Sequence, residues 1–153
     1  MNRQVRTSAK ALVIRDGRML ALRMRDSDGE FFIMPGGGQQ AGEVLPEAVA
    51  REVAEETGIT VAVKDIAFVI EGSQGEVFHR VDIVFRCELL DSGRAVSHPD
   101  SQQIGYEWLP VAELNRTPLF PSRLRRPIMD LAGGKRTAVY LGNECMGDPE
   151  QTD

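Results

Sequence analysis

Three glutamates, Glu52, Glu55 and Glu56, stand close together, and a run of three glycines, Gly36, Gly37 and Gly38, precedes them. Wound as a helix at about 100° per residue, the glutamates fall within one arc of roughly 100°. A bare helix gains nothing from that arrangement. Glu52 and Glu56 are like charges at i and i+4, a pairing that costs about a few tenths of a kcal/mol. A divalent cation reverses the sign. Mg²⁺ takes oxygen ligands in octahedral geometry and keeps waters that a substrate displaces, and Mn²⁺ accepts similar ligands. Most acidic helix faces are simply solvated, and most triple glycines are flexible loops. Joined, the two look like an acidic floor and the wall of a phosphate pocket, because glycine lets a backbone approach a ligand closely. Arg51 can reach Glu47 or Glu55 on the helix, or Glu43 just before it, and orient them.

These residues need a scaffold, and the pattern around them supplies one. Pro46 to Thr57 reads as the helix, with proline in the first turn and Gly58 as its stop. Its apolar arc, Pro46, Val49, Ala50, Val53 and Ala54, is expected to pack on a sheet. Upstream, Ala11 to Ile14 and Met19 to Met24 flank Asp16-Gly17 and read as a hairpin with a type I′ turn. Arg25 to Glu30 reads as a polar loop and Phe31 to Met34 as a short strand running into the glycines. Downstream, Val61 to Ile70 and Val77 to Leu89 read as strands, the second with Val81, Ile83, Phe85, Cys87 and Leu89 on one face. Gln103 to Leu109 and Ala138 to Leu141 are further strands. Leu119 to Leu131 is a late helix interrupted by Pro121 and Pro127. Strands mixed with a few helices predict a mixed β-sheet covered by helices.

From Gly37 the chain runs five residues to Glu43, then seven more to Arg51-Glu52-Val53-Ala54-Glu55-Glu56-Thr57-Gly58-Ile59. This resembles the Nudix box, with every specified position filled. A looser likeness extends from about Arg6 to Leu131. The resemblance implies an α/β fold, an α/β/α sandwich with a loop-helix-loop catalytic motif. It implies hydrolysis of a diphosphate linkage in a nucleoside diphosphate derivative or nucleoside triphosphate, with water attacking phosphorus. Metal ligands would be Glu52, Glu55, Glu56 and a backbone carbonyl near Gly36 or Gly37. The cation would be Mg²⁺ or Mn²⁺, with more than one ion when substrate is bound. Glu52 or Glu55 would take the proton from water, and Arg51, counted with the catalytic group, would join Glu43 in fixing loop to helix. Gln40 departs from the glutamate that many members carry.

Substrate contacts are less legible. Gly37, Gly38, Arg23 and Phe32 are the candidates, with Arg25, Phe31, His79 and Arg80 behind them. Asp100 and Glu76 are weaker candidates for the base. The subfamily markers for ADP-ribose, dinucleoside polyphosphate and NADH hydrolases are absent, so the sequence names no substrate. A catalytically silent Nudix-like module that senses a nucleotide is the rival, but it would be expected to lose box carboxylates. An isoprenoid diphosphate isomerase would need catalytic residues outside the box.

The chain has 153 residues and a formal charge of -5. That size suits one domain, residues 1–142, followed by a polar tail, 143–153, expected to be poorly ordered. A net acidic protein has no general attraction for nucleic acid or an anionic membrane, so a polyphosphate must be met through cations. Cys87 and Cys145 are too few for a disulfide framework, and Cys87 reads as core. No segment is long enough to span a bilayer, and a cytoplasmic protein is expected. The expected partner is a small nucleotide-like diphosphate, and a homodimer is left open.

Overall fold

The computed structural model describes residues 4–74, 78–92 and 102–151. It begins with the hairpin β1 (Val5–Arg15) and β2 (Arg18–Asp26). Asp16 and Gly17 both take positive φ, 52° and 75°, as a type I′ turn requires. The polar loop expected at Arg25 to Glu30 is a tight connection instead. Strand β2 continues to Asp26 and β3 (Gly29–Ile33) starts almost at once. Cross-strand pairs hold it shut: Glu30 receives hydrogen bonds from Arg23 at 3.0 Å and Arg25 at 2.9 Å.

The triple glycine is a strand too. In β4 (Gly36–Gly38), Gly36, Gly37 and Gly38 pair antiparallel with Lys10, Ala9 and Ser8 of β1. Helix α1 (Leu45–Thr57) follows, with Glu47 accepting from the Val44 amide and Gly58 at φ 74° closing its end. Next come β5 (Thr60–Gly72), β6 (His79–Asp91), β7 (Gln103–Pro110), a 3-10 helix at Val111–Arg116, helix α2 (Arg125–Ala132) and β8 (Tyr140–Asn143).

Two strand groups meet at the β1/β2 turn. In the larger, β1 runs parallel to β6, β6 antiparallel to β5, and β5 parallel to β8. In the smaller, β2 lies antiparallel between β3 and β7. The sheet is therefore mixed and is covered on both faces. On one face α1 inserts Leu45, Ala48, Val49 and Val53 against Ala9, Ala11, Val13, Ile59, Val61, Phe85 and Cys87. On the other, Leu114, Leu119, Leu124 and Ile128 pack on Leu12, Met19, Phe68, Ile70 and Val84. This is the expected α/β/α arrangement.

Three details differ from expectation. The buried arc of α1 is rotated: Pro46 and Ala54 are exposed and Ala50 is half-buried, while Ala48 and Glu56 are buried. The larger side chains of Leu45, Val49 and Val53 fill the sheet surface better than proline and alanine do. Consequently the acidic arc borders the core rather than facing water. The late helix starts only at Arg125, because Leu119 and Phe120 are held beside β3 through Phe32, which receives the Phe120 amide and donates to Pro118. Of the stretch expected to be a poorly ordered tail, the described residues 143–151 are anchored at Glu144. Glu144 is buried and accepts from the amides of Ser122 at 2.7 Å and Arg123 at 2.9 Å, and from the Ser122 hydroxyl at 2.8 Å. Polar composition hid this anchor, which uses hydrogen bonds rather than apolar burial.

Candidate active site

The site forms where β4 meets α1. Strand β1 must receive β4 closely, and only glycine permits it. A Cβ on Gly36 would lie 2.1 Å from the Ala9 carbonyl oxygen, and one on Gly37 would lie 2.7 Å from the Glu52 carboxylate. The Glu52 carboxylate therefore rests directly against the backbone at Gly37. Glu56 reaches from the helix to β4, and its Oε1 accepts from the Gly36 amide at 2.9 Å in a buried setting. At the end of β4, Gly38 offers its carbonyl to Arg51 at 3.0 Å.

Arg51 is the hub. Its guanidinium donates to both oxygens of Glu43, at 2.7 and 2.9 Å, and to Glu52 at 2.9 Å and Glu55 at 3.2 Å. The two-point pairing with Glu43 suits the planar guanidinium fork. Together with the Gln40 amide, this pairing holds the Glu43 carboxyl far below the usual carboxylate range, at about 2. The same bonds push the Arg51 pKa upward, so it stays charged. Sequence spacing placed Arg51 within reach of Glu47, Glu55 or Glu43; the fold brings it to Glu43 and Glu55, and also to Glu52, while Glu47 accepts from the Val44 amide.

Among the described residues, no three His, Cys, Asp or Glu side chains converge as a ready ligand set. The reason is visible in the bonding: Glu52 and Glu55 face Arg51, and Glu56 faces an amide. The donor set nevertheless fits a hard divalent cation. It consists of carboxylate oxygens on one helix arc, beside a glycine backbone that brings no side chain between them. Glu52, Glu55 and Glu56 would hold such an ion, once Glu52 and Glu55 turn from Arg51.

The remaining candidates are not all brought here. Arg23 is paired with Glu30 and, at 3.3 Å, with Glu107. Phe32 packs on the core beside α2. Its neighbour Phe31 instead lines a cavity of about 600 Å³ on the sheet face opposite α1. Arg80 also lines this cavity, whereas His79 bonds to Glu71 at 2.8 Å. Glu76 and Asp100 lie outside the described residues. Trp108 packs on the core. Burial pushes the Cys87 thiol up to about 12, as suits an inert core residue.

Sequence reasoning missed Gln103, Lys10 and Asp82. Gln103 donates to the Glu56 carbonyl at 2.8 Å and so ties β7 to the end of α1. Lys10 pairs with Gly36 and also lines the cavity, so cavity and glycine strand share a wall. None of the three sits in a spaced motif. For Asp82, a carboxylate within the apolar alternation of β6 was the available signal.

A glycine strand locked to an acidic helix by an arginine, on a mixed sheet between helices, defines the Nudix class of fold and site. The NUDIX domain family matches residues 5–131. A MutT-like protein from Streptomyces ambofaciens is 36% identical over 109 residues, covering 71% of this chain and 66% of the relative. The nucleoside triphosphatase NudI of Salmonella agona is 30% identical over 123 residues, covering 71% of this chain and 84% of the relative. The crystal structure of a MutT protein from Methanosarcina mazei Go1 superposes with a TM-score of 0.67 at 28% identity, over 88% of this chain and 99% of that one. The chain belongs to the Nudix hydrolase family. Some curated relatives are much longer, and the chain spans 43% of one of them. No helix among the described residues is long and apolar enough to cross a membrane.

Proposed function

We propose that this protein hydrolyses a diphosphate linkage in a nucleoside diphosphate derivative or nucleoside triphosphate, using divalent cations gathered by Glu52, Glu55 and Glu56. The observation that carries the reading is the Arg51 hub: one guanidinium binds Glu43, Glu52, Glu55 and the Gly38 carbonyl, fixing the glycine strand to the acidic helix. A solvated acidic face would need no such lock. The NudI relative, a nucleoside triphosphatase, supports the same substrate class.

The chemistry follows from charge. A diphosphate repels the hydroxide character that water gains as it attacks phosphorus, and the phosphate released when the P–O bond breaks carries still more negative charge. Mg²⁺ or Mn²⁺, when bound, supplies charge neutralisation and a more acidic water. Glu52 and Glu55 stand next to each other around Arg51, and either can accept the proton that water loses. Arg51 keeps its proton throughout and, through Glu43 and the Gly38 carbonyl, holds the helix that carries these carboxylates against the glycine strand. Beside Gly38 nothing lies within 4 Å of where a Cβ would stand, which leaves room for phosphate oxygens next to the Glu52 carboxylate at Gly37.

The test is phosphate or pyrophosphate release from a panel of nucleoside triphosphates, nucleotide sugars, ADP-ribose and dinucleoside polyphosphates, with Mg²⁺ or Mn²⁺ and again with excess EDTA. Release from at least one substrate, abolished by EDTA and restored by metal, is expected. Undiminished hydrolysis after full chelation removes the metal role, and no release from any member removes the proposed activity.

A further inference from the structure

The cavity opposite α1 belongs to no residue of the box, yet it reaches the glycine strand through Lys10. Its volume, about 600 Å³, falls in the range that takes a small organic ligand. Phe31, Ile33, Phe120 and Leu124 make much of its wall apolar. Phe31 and Phe120 stand edge to face, 6.4 Å between centroids, and offer aromatic surface to a flat ring.

The acids around it are mostly satisfied. Both oxygens of Glu144 accept hydrogen bonds from Ser122 and Arg123, Glu30 is paired with Arg23 and Arg25, and Asp26 accepts the Asp28 amide. Asp82 differs. It is 3% exposed, and its Oδ2 accepts from Arg80 Nε at 2.9 Å. Its Oδ1 is buried and accepts no hydrogen bond among the described residues. A buried carboxylate oxygen left without a donor is costly, so its retention calls for a reason, and a ligand donor arriving in the cavity that Asp82 lines supplies one.

A carboxylate only accepts, so the ligand must bring a donor. A sugar would present hydroxyls in several directions to walls that are mainly apolar. A nucleobase has apolar faces and one polar edge, which matches this cavity. Among bases, an exocyclic amino group projects a donor away from the ring. The imide N–H of uracil lies between two carbonyls whose lone pairs repel a carboxylate. With phosphates directed past Lys10 toward Gly36, Gly37 and Gly38, a base in the cavity and a diphosphate at the acidic helix belong to one molecule.

We propose that Asp82 is a specificity-determining residue that accepts a hydrogen bond from the exocyclic amino group of a nucleobase, so that the enzyme selects amino-bearing bases. This rests on the reading of the site as a nucleotide diphosphate hydrolase. The experiment is separable from hydrolysis because it uses metal-free protein. Nucleosides in near-isosteric pairs, cytidine against uridine, adenosine against inosine and guanosine against inosine, are titrated in EDTA and followed by amide NMR shifts. In at least one pair the amino member should bind about tenfold or more tightly, with shifts at β6 and β3. In Asp82→Asn, whose amide can turn to donate to a carbonyl, that ratio should fall to about one or below. Wild-type ratios within about twofold in all three pairs overturn the proposal, as does the absence of nucleoside binding. So does a ratio that persists in a folded Asp82→Asn protein. If selective binding holds while no nucleotide is hydrolysed with metal, Asp82 keeps its role and the proposed activity fails.

Discussion

Replacing Arg51 by alanine tests the site through its most connected group. The guanidinium makes two short bonds to Glu43, one to Glu52, a longer one to Glu55 and one to the Gly38 carbonyl. Its side chain is 22% exposed and that of Glu43 13%, so the pairing is screened only in part. A hydrogen bond to a charged group contributes about 1.5–3 kcal/mol, and removing one partner of a well-buried pair costs about 3–5 kcal/mol. Partial exposure lowers this, and the longer contacts to Glu55 and Gly38 add little. A loss of about 2–4 kcal/mol is expected, or roughly 5–15 °C in melting temperature for a domain of this size. Three carboxylates would then lack their cation, so Mn²⁺ should raise the melting temperature of Arg51→Ala more than that of the wild type. Activity should fall roughly tenfold to a hundredfold, because the lock between β4 and α1 orients the carboxylates rather than touching substrate. Arg51→Lys should lie between, since lysine keeps charge but not the planar fork. Thermal melts with and without Mn²⁺, paired with turnover on the same preparations, decide it. An Arg51→Ala protein melting within about 2 °C of wild type, with unchanged turnover, would refute the hub.

Other outcomes can be checked the same way. Glu56→Gln retains an acceptor for the Gly36 amide and should melt near wild type, yet lose about 10² to 10⁴ in kcat; Glu56→Ala should also lose about 1–3 kcal/mol of stability, by stranding that buried amide. Truncation after Leu141 removes Glu144 from Ser122 and Arg123 and should lower the melting temperature by more than about 5 °C, whereas a freely solvated tail predicts no change. Because the Glu43 carboxyl is depressed to about 2, its contribution is complete above the ordinary carboxylate range and is lost as pH falls toward about 2; the melting advantage of wild type over Glu43→Gln should shrink by more than half between about pH 5 and pH 3, and an advantage constant over that window contradicts the assignment.

Local chemistry was readable along the chain. The Asp16-Gly17 turn, the strands β5, β6 and β7, and helix α1 follow from side-chain period and from residues that tolerate particular backbone angles, all short-range properties. The order of acids and glycines from Gly37 to Ile59 likewise carried the family and the class of site, because its helical part depends only on 3.6 residues per turn. What the chain alone left undecided is everything set by two elements meeting. The rotation of α1 that buries Glu56 depends on which side chains best fill the sheet surface. The pairing of Gly36 to Gly38 with β1 depends on a backbone approach that no local pattern encodes. Arg51 had three acidic neighbours within reach, and the turn at Gln40 decided that Glu43 receives the fork. Asp82 drew no notice in the strand pattern, because its setting exists only once residues of β1, β3 and the segment around Glu144 line the same cavity. Glu144 seemed part of a polar tail because its partners, the amides of Ser122 and Arg123, lie more than twenty residues upstream, where sequence periodicity has no reach.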